Sequence, residues 1–192
     1  MAVNQFSDGH NESYCAFVQG LPPENPHREY HDFEYGFPLV SDDELFGRLL
    51  LEINQAGLSW ITILRKKENF RVAYAQFHVQ RVAAYGAREV ELLLDNPGII
   101  RNRRKIEAAI SNARSIVELQ KEFGSFRNWL NAQGMLNKED WVRLFKQNFT
   151  FTGGEITGEF LMSTGYLEGA HHKHCPVYKE VLRHNPRWNQ FV

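Results

Sequence analysis

The sequence predicts an all-α protein, and three observations carry that expectation. No segment alternates apolar and polar residues with period two over the length of a strand. Apolar residues instead recur at helical spacing in many runs of modest length. Two such runs meet between Leu92 and Ala113 at Asp95-Asn96-Pro97-Gly98. There a proline without an N–H and a glycine free to take positive φ end one helix and let the next begin at once. Val90, Leu93 and Leu94 close the first run, and Ile106, Ala109, Ile110 and Ala113 carry the second. The pair reads as an αα-hairpin over 87–114.

The remaining elements follow in chain order. Residues 1–13 are polar and read as a flexible tail. Gly20 to Pro26 is turn-rich and reads as a surface crossing, and Tyr30 to Gly36 as a short run crowded with aromatics and acids. Ser41 followed by Glu44 has the spacing of a capping box, opening a helix over about 43–55. Ser59 caps another over about 60–75. Shorter helices are expected near 79–84 and 87–94, and the second limb of the hairpin extends to about Glu122. Further helical patterns lie near 125–132, 138–147, 155–166 and 175–183. A chain of 192 residues suffices for one domain or two small lobes on a shared core. With no internal repeat and no low-complexity segment, 14–192 reads as a single domain.

The composition, 43% hydrophobic and 23% charged, is that of an ordinary globular protein. The formal net charge is only -1, so any affinity for nucleic acid has to come from a local basic patch. The hairpin offers one in Arg101, Arg103, Arg104, Lys105 and Arg114, beside free amides at a helix N-terminus. That surface suits a polyanion such as the DNA backbone. A solvated, charged outer face is the alternative. No apolar run is long enough to span a bilayer, and the opening MAVNQFSDGHNESY lacks the pattern of a signal peptide. The expectation is a cytosolic protein with reduced thiols.

Glu52 stands on the stripe Leu45, Leu49, Glu52, Ala56. A carboxylate among apolar residues is costly unless it meets a donor or a cation. It either reaches solvent at the edge of the stripe or faces a ligand. Gln55, Gly57 and Trp60 follow closely. An acid, an amide and an indole at one helix junction can read and stack a planar, amine-bearing, cationic ring.

The two cysteines, Cys15 and Cys175, lie near opposite ends, each with a histidine in reach: His31, and His171 in HHKHC. They could pair as a disulfide, against which the compartment argues, or the four could form a Cys2His2 set suited to tetrahedral zinc. His27, His172 and His174 compete as ligands. A zinc there would be structural, clamping distant segments together, because four protein ligands leave no position for a reactive water.

The runs LEINQAGLSWITILRKKENFRVAYAQF (51–77) and PGIIRNRRKIEAAISNAR (97–114) resemble signatures of the DNA-3-methyladenine glycosylase I family, within the helix-hairpin-helix superfamily. YHDFEYGFP (30–38) is similar to that family's N-terminal motif, and FTFTG (149–153) to its phenylalanine-rich segment. The resemblance implies a helix-hairpin-helix DNA glycosylase fold whose N- and C-terminal segments are tied together by a zinc site. It implies a bacterial, cytoplasmic, monomeric base-excision repair enzyme that flips N3-methylated adenine out of double-stranded DNA and hydrolyses its N-glycosidic bond. Glu52 matches the acid that binds the exocyclic amine and is the catalytic candidate. Tyr30, Trp60, Gln55, Phe17 and Tyr35 complete the base-binding set. Gly98, Ile100, Arg101, Arg103, Arg104 and Lys105 match the phosphate-binding hairpin. Cys15, His31, His171 and Cys175 match the zinc ligands.

The chain departs from the family pattern at several places, among them a longer Cys15-to-His31 interval and one extra residue before His171. Phe17 and Tyr35 stand where the family has tryptophan, and His27 stands where it has tyrosine. The stretch between Leu130 and Phe149 is shorter, with NAQGMLNKEDWVRLFKQ replacing a Ser/Thr-rich segment. A non-enzymatic DNA-binding or damage-sensing protein on the same scaffold is the alternative reading.

Overall fold

The computed structural model describes residues 13–190. Most of the expected tail, residues 1–12, lies outside the described residues. Ser13, which the sequence places in that tail, is instead the N-cap of α1 (Tyr14–Gln19), its hydroxyl accepting from the Ala16 amide at 3.2 Å. Then follow α2 (Pro26–Phe33), α3 (Asp42–Gln55), α4 (Trp60–Ala73), α5 (Val79–Ala83), α6 (Ala87–Asp95) and α7 (Arg103–Phe123). The chain continues through α8 (Phe126–Ala132), α9 (Lys138–Asn148), α10 (Gly154–Ser163) and α11 (Pro176–Arg183). No strand occurs among the described residues, and no helix is long and apolar enough to cross a membrane.

The sequence does not reveal α1 and α2, for a physical reason. They have six and eight residues, too short to display a period. The face α2 buries consists of His27, Tyr30 and His31, so it carries no apolar signature. Local signals at its start are present: Asn25 accepts from the His27 amide at 3.0 Å, and Pro26 sits at the first helical position.

Helix α3 is the centre of the fold. Every residue from Leu45 to Asn54 is buried, all the way round the helix. It packs against α4, α7, α8 and α10. Ser41 is its N-cap, but the expected capping box does not form: Ser41 makes no side-chain cap hydrogen bond and Glu44 is exposed. Three acids in the first turn complement the helix dipole instead. Two of them also reach other elements. Asp42 accepts from the amides of Phe126 (2.8 Å) and Arg127 (3.0 Å), capping α8, and Asp43 accepts from Val79 N at 2.9 Å, capping α5. On the α8–α10 side the core is aromatic. Phe126, Trp129, Phe145, Phe149 and Phe160 pack with ring centroids 5.2 to 6.3 Å apart.

The hairpin forms from α6 and α7, with α7 ending at Gly124 in the left-handed region (φ 81°). Gly98 in the turn does not use the positive φ that a glycine tolerates. Its glycine serves close approach instead. A Cβ there would lie 3.0 Å from Asn96 Oδ1 and 3.2 Å from the Asn69 side chain on α4. Helix α10 stops at Ser163, short of the expected 166, and Gly165 takes φ +77° just after it.

Candidate active site

Glu52 is on the last turns of α3 and only 5% exposed, which removes the reading at a solvent edge. No described residue donates a hydrogen bond to its carboxylate. Burial and the neighbouring charge of Glu159 push its pKa up to about 8, opposed in part by Arg48.

The charge of this acid acts on Tyr14, Tyr30 and Tyr35, whose rings form a cluster with Trp60. Tyr30, from α2, meets Trp60, the first residue of α4, edge-on at 5.1 Å between centroids. Tyr35 lies 5.5 Å from Tyr30 in a tilted arrangement, and Tyr14 meets Tyr35 edge-on at 5.5 Å. Arg48, one turn before Glu52, is buried. Its guanidinium lies 4.9 Å from the Tyr30 ring centre. It donates to the Tyr30 hydroxyl (3.0 Å) and to Glu34 Oε2 (3.1 Å). The Tyr30 hydroxyl, accepting from Arg48, keeps its own proton to donate. The Tyr35 hydroxyl donates to Glu159 Oε2 at 3.1 Å. Trp60 Nε1 is buried and has no acceptor among the described residues. Gln55 uses Nε2 to hold the carbonyl of Leu58 at 3.3 Å, bracing the loop between α3 and α4. Phe17 is 36% exposed and packs on Tyr14 and His27.

Cys15, His31, His171 and Cys175 converge. Their ligand atoms all lie within 4.8 Å of one another, and all four side chains are buried. Cys15 Sγ is 3.7 Å from His171 Nδ1, and Cys175 Sγ is 3.7 Å from His31 Nε2 and 3.6 Å from His171 Nδ1. A tetrahedral ion with ordinary metal–sulfur and metal–nitrogen lengths sets such edges at about 3.6 Å, so the four residues fit one. The second nitrogen of each ring is already committed. His31 Nδ1 donates to Asp32 Oδ1 at 2.7 Å and His171 Nε2 to the Tyr35 carbonyl at 2.7 Å. These are the outer contacts that orient metal-binding histidines. Burial holds the His171 imidazole down to about 4, in the neutral form that binds a cation. Neither cysteine is in a disulfide. The sequence interval from 15 to 175 is bridged because α1, α2 and the start of α11 share one side of the molecule. This four-residue cluster could hold a metal ion, and its tie to Tyr35 joins it to the aromatic walls.

The hairpin requires one correction. Lys105, expected to face a phosphate, is 5% exposed. Its ammonium donates to the carbonyls of Asn54 (2.8 Å) and Ala56 (2.6 Å) at the C-terminus of α3. Lys105 therefore binds the hairpin helix to the loop that follows Glu52, with its charge satisfied inside the protein. Lys66 acts in the same way from α4, donating to the carbonyls of Pro97 (2.9 Å) and Gly98 (3.3 Å). Arg101 and Arg104 are exposed. Arg103 is exposed and paired with Glu91 at 2.8 Å. Ile100 is half-buried in the turn, and Arg103 and Arg104 open α7, where the amides have no intrahelical acceptor.

The profile of the methyladenine glycosylase family matches residues 22–142. The chain is 47% identical over 157 residues to DNA-3-methyladenine glycosylase 1 of Escherichia coli, covering 72% of this chain and 84% of that one. The chain belongs to the methyladenine glycosylase family. DNA-3-methyladenine glycosylase of Haemophilus influenzae is 32% identical over 167 residues, covering 77% of this chain and 90% of that protein. The solved structure of 3-methyladenine DNA glycosylase I from Staphylococcus aureus, described as showing the basis of 3-methyladenine recognition, superposes with a TM-score of 0.74. It is 31% identical and covers 85% of this chain and 95% of its own. A variant of 3-methyladenine DNA glycosylase I in complex with 3-methyladenine gives a TM-score of 0.75 at 30% identity, covering 86% and 97%.

In this member of the methyladenine glycosylase family, several residues around Glu52 escape a reading of the sequence alone. Arg48 is one turn from Glu52 on an apolar helix, a signal visible in LFGRLLLE. Glu159 stands between the buried Gly158 and Phe160 on α10, also visible but without any indication of what it faces. Tyr14 and His27, which share a hydrogen bond of 3.0 Å, come from the unanticipated α1 and α2.

Proposed function

We propose that this chain is a monofunctional DNA glycosylase that flips an N3-methylated adenine out of double-stranded DNA and hydrolyses its N-glycosidic bond. One observation supports this above all: a buried carboxylate with no donor among the described residues, whose charge acts on Tyr30 and Tyr35 in a ring cluster that includes Trp60. A purine alkylated at N3 is cationic and has an exocyclic amine. Its amine suits Glu52, its faces suit the rings, and its charge suits an acidic, partly dry site.

The chemistry asks little more of the protein. A cationic base departs without first being protonated, so no general acid is required. Gripping the departing base while excluding water favours the transition state over the ground state. Glu52 binds and orients the base. Tyr30, held by Arg48, and Trp60, Tyr35, Gln55 and Phe17 complete the set that positions it. Asp140, the aspartate that follows the hairpin in the sequence, is bonded to Arg143 on α9.

The DNA backbone is assigned to the helix-hairpin-helix turn: Gly98, Ile100, Arg101, Arg103 and Arg104, within one glycosylase domain spanning 14–192. Arg103 can exchange its exposed pair with Glu91 for a phosphate at little cost. The ion of the cysteine–histidine cluster is assigned as structural Zn2+, which would hold α1 and α2 against the segment before α11. A monomer working in the bacterial cytoplasm completes the reading.

Chromatography of bases freed from methylated duplex DNA is the decisive test. Released 3-methyladenine is the expected result, and DNA binding without release would leave a damage-sensing protein on the same scaffold. The hairpin has its own test. Arg101→Ala with Arg104→Ala should weaken binding to every sequence and flatten the slope of log affinity against log salt by about 2. Lys105→Met should leave that slope unchanged and instead lower unfolding free energy by about 1–3 kcal/mol, because two helix-end carbonyls lose their donor. A flattened slope in the Lys105 variant would return that lysine to the DNA face.

A further inference from the structure

Two acids, from different helices, approach the same set of rings. Glu52 comes from α3 and Glu159 from α10. Glu159 accepts from the hydroxyl of Tyr35 at 3.1 Å, so its place relative to that ring is set. The Glu52 and Glu159 charges are close enough to oppose each other, and both act on Tyr14, Tyr30 and Tyr35. Cations offset the pair only in part. Arg48 is already bonded to Tyr30 and Glu34. Lys138, which acts on Glu159, is half-exposed and also 3.9 Å from Glu155. Two carboxyls so placed resist ionising together. A positive ring entering beside them relieves that repulsion, and a neutral ring of the same shape does not.

We propose that Glu159 is a specificity-determining residue of the base pocket, which together with Glu52 makes the site select a positively charged purine over a neutral one. The inference rests on the pocket reading given above. It separates substrate from product by charge. The N3-methylated base is cationic while joined to the sugar and leaves as a neutral molecule, so the preference ends when the bond breaks and release is favoured.

The test compares two probes by the change in tryptophan fluorescence at mildly alkaline pH: 3,9-dimethyladeninium, a fixed cation, and 3-methyladenine, which is neutral there. The unaltered protein is expected to prefer the cation about tenfold or more. Glu159→Gln keeps an acceptor for Tyr35 and removes the charge. It should cut the preference about fivefold, with the affinity for 3-methyladenine changed less than about twofold. Glu159→Asp, which retains the charge, should preserve most of the preference. An unchanged ratio in Glu159→Gln overturns the proposal, as does an equal loss of both probes, which would mark a purely structural residue. If the unaltered protein binds neither probe and frees no base from methylated DNA, the pocket reading itself has failed, and this inference with it.

Discussion

Glu52→Gln is expected to slow release of 3-methyladenine by about 100-fold, the scale on which one charge-stabilising contact acts in a dry site. Binding to undamaged duplex should stay within about twofold, because the phosphate contacts are assigned to another element. The same substitution should raise stability. Folding buries Glu52 beside Glu159, with Arg48 as a partial counterweight and Tyr14, Tyr30 and Tyr35 around it, and lifts its pKa from 4.5 to about 8. An acid whose pKa rises on folding contributes stability that is complete below its unfolded value and is lost as pH climbs through the folded one. The native state therefore loses stability between pH 4.5 and about 8, and the glutamine variant does not. At the alkaline end the variant should gain roughly 2–5 kcal/mol, or about 4–20 °C in Tm, with little or no gain in acid, where Glu52 is neutral in both states. Excision by the unaltered protein should rise over the same interval as Glu52 ionises. A Tm difference that does not vary with pH would show that Glu52 is hydrated in solution, and an unchanged excision rate would remove it from the pocket.

The second large effect concerns the cysteine–histidine cluster. The purified chain is expected to carry about one zinc per molecule, and stripping it, or His171→Ala, should lower Tm by about 10 °C or more. Four buried ligands would lose their common partner, and the tie between α1, α2 and the segment before α11 would open. His171 also holds the Tyr35 carbonyl, and Cys15 adjoins Tyr14. Excision should therefore fall with the metal even though its assigned role is structural. Because a bound ion displaces the thiol protons, metal release should become easier in acid. Elemental analysis with paired melts, before and after chelation, measures this. A chain that loses all its metal and melts at the same temperature would deny the cluster a structural role.

How much of this was legible in the sequence varies from residue to residue. The long helices were, because an amphipathic run of a dozen residues prints its period directly. α1 and α2 were not, since each is short and α2 buries histidine and tyrosine rather than aliphatic residues. Glu52 could be singled out by its place on an apolar stripe. Arg48 and Glu159 carry the same kind of signal, a charge beside buried apolar residues, yet neither says what it will meet. Lys105 shows the opposite error. It stands in a run of basic residues, and only the packing of α7 against the end of α3 turns it inward.

What the amino-acid sequence determined by itself is local: which segments become helices, where Pro97 and Gly98 interrupt them, and which residue types are available for binding a base, a phosphate or an ion. Tertiary structure alone decided which of these side chains share a space. Cys15 and Cys175 are brought together with two histidines, Glu52 comes within electrostatic reach of Glu159, and Lys105 is withdrawn from solvent. The reason is that periodicity and capping act within a few residues along the chain. A charge's environment depends on helices that meet across long sequence separations, and burial there sets whether it is paired, strained or free to bind.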